Sequence, residues 1–248
     1  MSDSRRKYLF YRLIWTGLDF LFPPNCGGCG KPGSRWCDDC KHSVVLLTKP
    51  HCEICGISTQ GNANLCSNCR LKRPSFRILR SWSAFEGPIR SALHRLKYRR
   101  DIGLGDALAV QLSEFVSGLG WPIDLIVPVP LGQKRLFERG YNQVGLIARP
   151  LSLSMNISYS PNALSRERDT RSQVGLTKLE RHINVRGAFL AKESRVKNRV
   201  VLLIDDVATT GSTLSSCAEA LYFAEAQDVF AVTVARALPH HHLQDSQV

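Results

Sequence analysis

The sequence predicts an α/β fold: a parallel sheet flanked by helices, preceded by a small cysteine-rich module. Three observations carry this. The run Val200-Val201-Leu202-Leu203-Ile204 is continuously apolar and aliphatic, the mark of a strand buried on both faces of a parallel sheet. Helix-period segments alternate with further short apolar runs along residues 78–238. Eight of the nine cysteines fall in four C-x-x-C pairs between Cys26 and Cys69, well before that pattern begins.

Composition sets the frame. At 248 residues there is room for one sizeable domain and a small one, and the 44% apolar and 22% charged content is that of an ordinary globular protein. The net charge of +12 favours polyanionic partners without choosing between nucleic acid, an acidic surface and a small polyphosphate. At the amino end, Ser4-Arg5-Arg6-Lys7 precedes the apolar stretch Tyr8–Phe22. Arg12 and Asp19 interrupt that stretch and no small-residue cleavage site follows, so an amphipathic helix over 1–24 that docks on the protein is expected, and a cytoplasmic location.

The pairs Cys26/Cys29, Cys37/Cys40, Cys52/Cys55 and Cys66/Cys69 supply the thiolates of two tetrahedral Cys₄ zinc sites. Gly30 and Gly56 follow the second cysteine of the first and third pairs, where a zinc knuckle needs a residue without a Cβ. Sequential assignment puts the first four cysteines on one metal and the last four on the other; a cross-braced pairing fits the same spacing. A segment of this size, residues 25–74, is too small for its own core and depends on metal to fold. It is basic through Lys31, Arg35, Lys41, Arg70, Lys72 and Arg73 but lacks the aromatic–basic interleaving of a base-stacking surface. Docking against the larger domain, 78–238, is at least as well supported as nucleic-acid contact. His240–His242 fall in the tail 239–248 and have no part in zinc sites that are already full.

In that larger domain Arg77–Phe85 reads as a strand, and Pro88 suits an early helical position. Ile89, Ala92, Leu93 and Leu96 mark the apolar face of a helix whose remainder carries Arg90, Arg95, Lys97, Arg99 and Arg100. Most of these are expected to solvate the helix, with Arg90, Arg95, Arg99 and Arg100 the candidate contacts to a nucleic-acid backbone or to diphosphate. A second amphipathic helix runs over Leu104–Leu119. The strand Asp124–Val127 breaks into Pro128-Val129-Pro130-Leu131, because prolines cannot continue a central strand. Ligands of open α/β sheets bind beyond such strand ends. Pro128, Val129, Pro130 and Leu131, with Lys134, Arg135 and Arg139, are therefore the candidate diphosphate loop. Gln143 opens a helix through Ala148, residues 164–189 form a polar, basic flap or loop, and Asp228–Ala235 a further buried strand.

The chemistry gathers after Ile204. Asp205 and Asp206 end the strand, and Thr209-Thr210-Gly211-Ser212-Thr213 opens a helix whose Leu214, Cys217, Ala218 and Leu221 share one face. Backbone N–H groups, the positive end of the helix dipole and four hydroxyls make this a phosphate cradle, with the two acids placed for sugar hydroxyls or a hydrated Mg²⁺. No Gly-Lys-Ser/Thr follows, so it is not a Walker A loop. The segment Asp205, Asp206, Val207, Ala208, Thr209, Thr210, Gly211, Ser212, Thr213 resembles the signature with which type I phosphoribosyltransferases bind 5-phosphoribosyl-1-diphosphate (PRPP). Asp205 and Asp206 are expected to serve ligand binding and not folding.

Taken together, the C-x-x-C-G ribbons, Lys97-Tyr98, Pro128-Val129-Pro130-Leu131, Glu138-Arg139-Gly140-Tyr141-Asn142-Gln143, the Arg166…Gln173…Arg181…Asn184 flap and the Asp205–Thr213 motif resemble the ComF family. The resemblance covers nearly the whole chain. It implies a double zinc ribbon fused to a type I phosphoribosyltransferase-like domain that binds PRPP with Mg²⁺, and a link to DNA uptake in natural transformation. Two functions are compatible with it: transfer of a phosphoribosyl group to an acceptor, or a non-catalytic accessory factor that holds single-stranded DNA. No catalytic side chain stands out in the sequence.

Overall fold

The computed structural model describes residues 23–48, 50–59, 63–167 and 188–238, together with Leu13, Gly17, Asp19 and Phe20. Most of the expected amino-terminal helix, the flap residues Arg168, Gln173, Arg181 and Asn184, and the histidine tail lie outside the described residues.

Five parallel strands form the sheet. In chain order they are β1 (Ile78–Ala84), β2 (Leu125–Pro128), β3 (Ser158–Tyr159), β6 (Val200–Ala208) and β7 (Asp228–Arg236), and in space β1-β7-β6-β2-β3. The strand read as buried on both faces is central: β6 pairs with β7 from Val200↔Asp228 to Ala208↔Arg236 and with β2 from Leu125↔Val201 to Pro128↔Ile204. Pairing on both sides consumes its backbone polar groups, so only apolar side chains suit its length.

Each face has its own cover. Val200, Leu202 and Ile204 meet α3 (Gly87–Tyr98), α4 (Leu104–Gly118) and α6 (Gln143–Met155). Val201 and Leu203 meet α8 (Ser212–Phe223) and a two-stranded antiparallel ribbon of β4 (Leu164–Arg166) and β5 (Phe189–Ala191). That ribbon is the root of the expected flap, and the short α7 (Glu193–Val196) leads from it back to β6.

The cysteine region, with its short helices α1 (Asp38–His42) and α2 (Ser67–Leu71), is not a separate knob. Cys52, Ile54, Cys55 and Cys69 belong to the core beneath α8. In the first half, Gly27 lies so close to Leu104 that a Cβ would sit 2.2 Å from its Cδ2. Among the described residues of the amino-terminal segment, Asp19 forms an ion pair with Arg35.

Two elements depart from expectation. Gln133–Arg139, anticipated as loop, forms a short helix, α5, ended by Gly140 in the left-handed region (φ +78°), where a glycine carries no Cβ penalty. Helix α6 continues past Ala148 to Met155 with Pro150 inside it.

Helices α4 and α6 approach each other at Gly105, where an added Cβ would stand 2.6 Å from the Leu146 carbonyl oxygen. Intrinsic propensity favours alanine over glycine in a helix by about 1 kcal/mol. The close approach outweighs it, so Gly105→Ala is expected to lower unfolding free energy by about 1–3 kcal/mol. Chemical denaturation of the two proteins checks this, and a more stable variant would show that the helices part freely.

Candidate phosphate and metal sites

The eight paired cysteines form two groups, Cys26, Cys29, Cys37, Cys40 and Cys52, Cys55, Cys66, Cys69, each with its sulfur atoms within 4.8 Å of one another. The assignment is therefore sequential and not cross-braced. Gly30 and Gly56 turn at φ +80° and +71°, bringing their N–H groups onto the Cys26 and Cys52 carbonyls at 2.9 Å. Further amides point at sulfur, Cys37 N–H to Cys26 Sγ at 3.4 Å and Cys69 N–H to Cys66 Sγ at 3.5 Å, as metal-bound thiolates require. Soft donors in closed sets of four fit structural zinc. Cys217 is fully buried on the apolar face of α8, where burial and the Asp205 carboxylate push its thiol up.

At the carboxyl end of β6 the alternation of a strand sends the two acids to opposite faces. Asp206 lies on the side of α3 and α6, 6% exposed, and its Oδ2 accepts from Gln143 Nε2 at 2.8 Å and pairs with Lys97 Nζ at 2.9 Å. Removing this carboxylate would leave a largely buried ammonium unpaired, so Asp206 serves folding as well as any ligand, contrary to expectation. Asp205 faces α8; its Oδ1 accepts from the Asp206 amide at 2.8 Å. Burial, with the Asp206 carboxylate adjacent, pushes Asp205 up to about 8.

Beyond them Gly211 takes φ +81° as the residue before α8, and the side chains of Thr209, Thr210, Ser212 and Thr213 are exposed around it. Gly211 itself offers no side-chain cap, and the Ser212 amide donates to Thr210 Oγ1 at 3.3 Å. The hydroxyls of Thr210 and Ser212 lie 2.7 Å apart, bracing the loop. Val207 and Ala208 differ from the other motif residues: their side chains pack into the two cores, leaving the backbone as their contribution.

The diphosphate candidates divide. Pro128 and Val129 are buried packing residues, Pro130 and Leu131 half-buried, and Lys134 exposed on α5. Arg135 and Arg139 instead join Lys97, Tyr98, Arg100 and Glu138 around an open cleft of about 370 Å³. A polar chain connects this cleft to the acids. Arg139 Nη1 donates to Gln143 Oε1 at 2.8 Å, Gln143 donates to Asp206, and the Arg139 guanidinium lies 5.1 Å from the Tyr98 ring centroid. The segment is pinned by Tyr141 Oη donating to the Leu96 carbonyl at 2.6 Å and Asn142 Nδ2 to the Val129 carbonyl at 3.0 Å. Lys97 and Gln143 are thus site residues that pattern reading did not single out, although both fall in the motifs quoted above. Of the four candidate backbone contacts on and just after α3, Arg95 is committed elsewhere: it pairs with Asp101 at 2.7 Å and donates to the Cys26 carbonyl at 3.0 Å. Arg100, at φ +53°, ends α3 in the left-handed conformation and turns into the cleft.

Residues 17–70 match the double zinc ribbon domain family. Over 210 residues the chain is 33% identical to the protein named DNA utilization protein YhgH of Escherichia coli K12, covering 77% of this chain and 91% of that one. The chain belongs to the ComF family. Competence protein F of Haemophilus influenzae is similarly related, 30% identical over 209 residues, which are 81% of this chain and 90% of that protein. Among solved structures, the glutamine PRPP amidotransferase of B. subtilis aligns at 19% identity and a TM-score of 0.39, over 58% of this chain and 27% of that one.

Metal analysis of the purified chain is expected to find two zinc ions, and two again in Cys217→Ala. One ion, or loss of zinc on replacing Cys217, would contradict the assignment.

Proposed function

We propose that this family member binds PRPP with Mg²⁺ at the carboxyl end of β6 and transfers its phosphoribosyl group to an acceptor, acting in the cytoplasm in support of DNA uptake. The observation that carries the reading is the juxtaposition of Asp205 and Asp206 with a glycine-led helix start ringed by hydroxyls. Thr209–Thr213 offer N–H and O–H donors to a phosphate, and the acids offer acceptors to ribose hydroxyls. Arg135, Arg139 and Arg100 give the diphosphate a cationic cleft, and such charge is what stabilises a departing diphosphate. The hard oxygen donors of Asp205 and Asp206 suit Mg²⁺, which would supply further charge neutralisation there.

Calorimetry with Mg–PRPP tests the reading. Binding is expected, and Asp205→Asn is expected to weaken it strongly while keeping helix and sheet content; equal affinity in that variant overturns the assignment. The pH dependence has a definite sign. Because Asp205 is raised to about 8 in the folded protein, it holds its proton below that pH. Folding stability contributed by this proton is complete at low pH and is lost as pH rises through 8. A ligand that needs the ionised acid binds by expelling the proton. Affinity for PRPP is therefore expected to climb about tenfold per pH unit below 8 and level off above it. Asp205→Asn should flatten this profile.

A second reading, a surface for single-stranded DNA, is favoured by one feature. Tyr98, 64% exposed, lines the cleft with Arg100, Arg135 and Arg139, and Phe137, 91% exposed, stands on α5 between the last two in sequence, aromatic and cationic groups that suit base stacking. Polarisation titration at low salt is expected to show binding that falls steeply as salt rises. Phe137→Ala and Arg99→Ser with Arg100→Ser should lower it alike on all sequences. No binding at low salt removes this reading.

A further inference from the structure

The two zinc ribbons support different parts of the molecule. Contacts of the first reach the ends of α3 and α4 and the strand β1: Gly27 against Leu104, Gly28 against Pro88, Arg95 to the Cys26 carbonyl, and the Ala84 amide to the Val45 carbonyl at 2.8 Å. Contacts of the second converge on the phosphate loop. The Leu79 amide donates to the carbonyl of Ile54, inside the knuckle Cys52–Cys55, at 2.7 Å. Gly56 abuts the carbonyl of the same residue, so that a Cβ there would lie 2.8 Å from the Leu79 oxygen. The side chains of Leu79 and Phe76 then form the floor under Gly211, reaching within 3.5 and 3.6 Å of where its Cβ would be.

Two further links run the same way. Arg236, 1% exposed, donates from Nη1 to the Cys55 carbonyl at 2.7 Å. Its backbone pairs with Ala208, the last residue of β6 before the loop, and the next amide, Ala237, donates to the Ala208 carbonyl at 3.0 Å. Four thiolates on Zn²⁺ leave a net negative charge, and the buried guanidinium at the knuckle is placed to balance it. Past the last ligand, Cys69, the Ser75 amide donates to Ser215 Oγ in the first turn of α8 at 2.9 Å.

We propose that the second ribbon is a metal-dependent support of the phosphate loop: zinc at Cys52, Cys55, Cys66 and Cys69 and a phosphorylated ligand on Thr209–Thr213 each favour the other. The identity of that ligand rests on the PRPP reading; the support itself does not. A ribbon without a core of its own loses its shape with its metal. The Ile54 and Cys55 carbonyls then leave, the Leu79 amide and Arg236 lose their partners, and the floor beneath Gly211 loosens. Coupling between two binding events is reciprocal, so the ligand must also retain the metal.

Hydrogen exchange on the full chain without ligand tests the support. In Cys66→Ser, amides of residues 209–216 are expected to exchange faster than in the native protein, whereas Cys29→Ser leaves them protected and speeds exchange near Leu104. Equal loop protection in native and Cys66→Ser protein overturns the proposal. Should Cys66→Ser fail to fold, Arg236→Met, which keeps all eight thiolates, must show the same loop-selective gain, and Cys66→His, which keeps four zinc ligands, must restore protection. In an equilibrium competition with a chelator Mg–PRPP is expected to raise the affinity for one of the two zinc ions, on the order of tenfold. If the native protein binds no PRPP but exchange still separates Cys66→Ser from Cys29→Ser, the support stands and the PRPP reading falls. If Cys66→Ser binds PRPP as tightly as the native chain, the support falls and the PRPP reading stands.

Discussion

The ion pair between Lys97 and Asp206 joins the end of the first long helix to the end of the central strand. Both groups are mostly out of water, and a lone buried charge of either sign is costly, so neither side chain is tolerable without the other. Gln143 completes the set by donating to the same carboxylate oxygen, and Arg139 holds Gln143. Three helices, α3, α5 and α6, are therefore tied at their ends to one carboxylate. The polar pieces stand at the carboxyl edge because the sheet is parallel. Its central strands β6 and β7 are buried along most of their length, and their charged side chains stand near the strand ends.

This arrangement explains why two adjacent acids behave differently. Strand alternation gives Asp206 to a face where a lysine and an amide wait, and gives Asp205 to a face lined by Leu214, Cys217 and other apolar groups. One acid is neutralised by partners. The other, half-buried and beside its neighbour's charge, is pushed up to about 8. A carboxylic acid held well above its ordinary range is characteristic of sites that bind or transform charged ligands.

Much of this was legible in the chain. The aliphatic run of β6, the proline stop of β2, the helix faces of α3 and α4 and the zinc ligands all depend on spacing within short stretches, which periodicity reports directly. What stayed hidden depends on long-range contact. Nothing local marks Lys97 as the partner of Asp206 or distinguishes it from Arg95, which instead anchors Asp101 and the first ribbon. Helix α5 was hidden for a different reason: with no buried residue of its own, it lacks the apolar stripe that announces a helix. Pro128 and Val129, expected in the diphosphate loop, border the strand end, and their side chains are buried there.

The excess of positive charge takes on a different meaning once partners are assigned. Arg35, Arg77, Arg95 and Arg236 are each committed to a carboxylate or a carbonyl, and hold elements together. Positive charge facing the cleft comes instead from Arg100, Arg135 and Arg139, with Lys97 already balanced by Asp206. Glu138 is the acid that shares this rim. An anion entering the cleft therefore meets guanidinium groups that present flat, two-pronged donors suited to phosphate oxygens. On the proposed reading, the long-range attraction of a basic chain for polyanions and the short-range recognition of a diphosphate draw on different residues. The first depends on the surface as a whole and weakens with salt. The second depends on three arginines whose placement follows from the helices that Lys97, Asp206 and Gln143 hold in register.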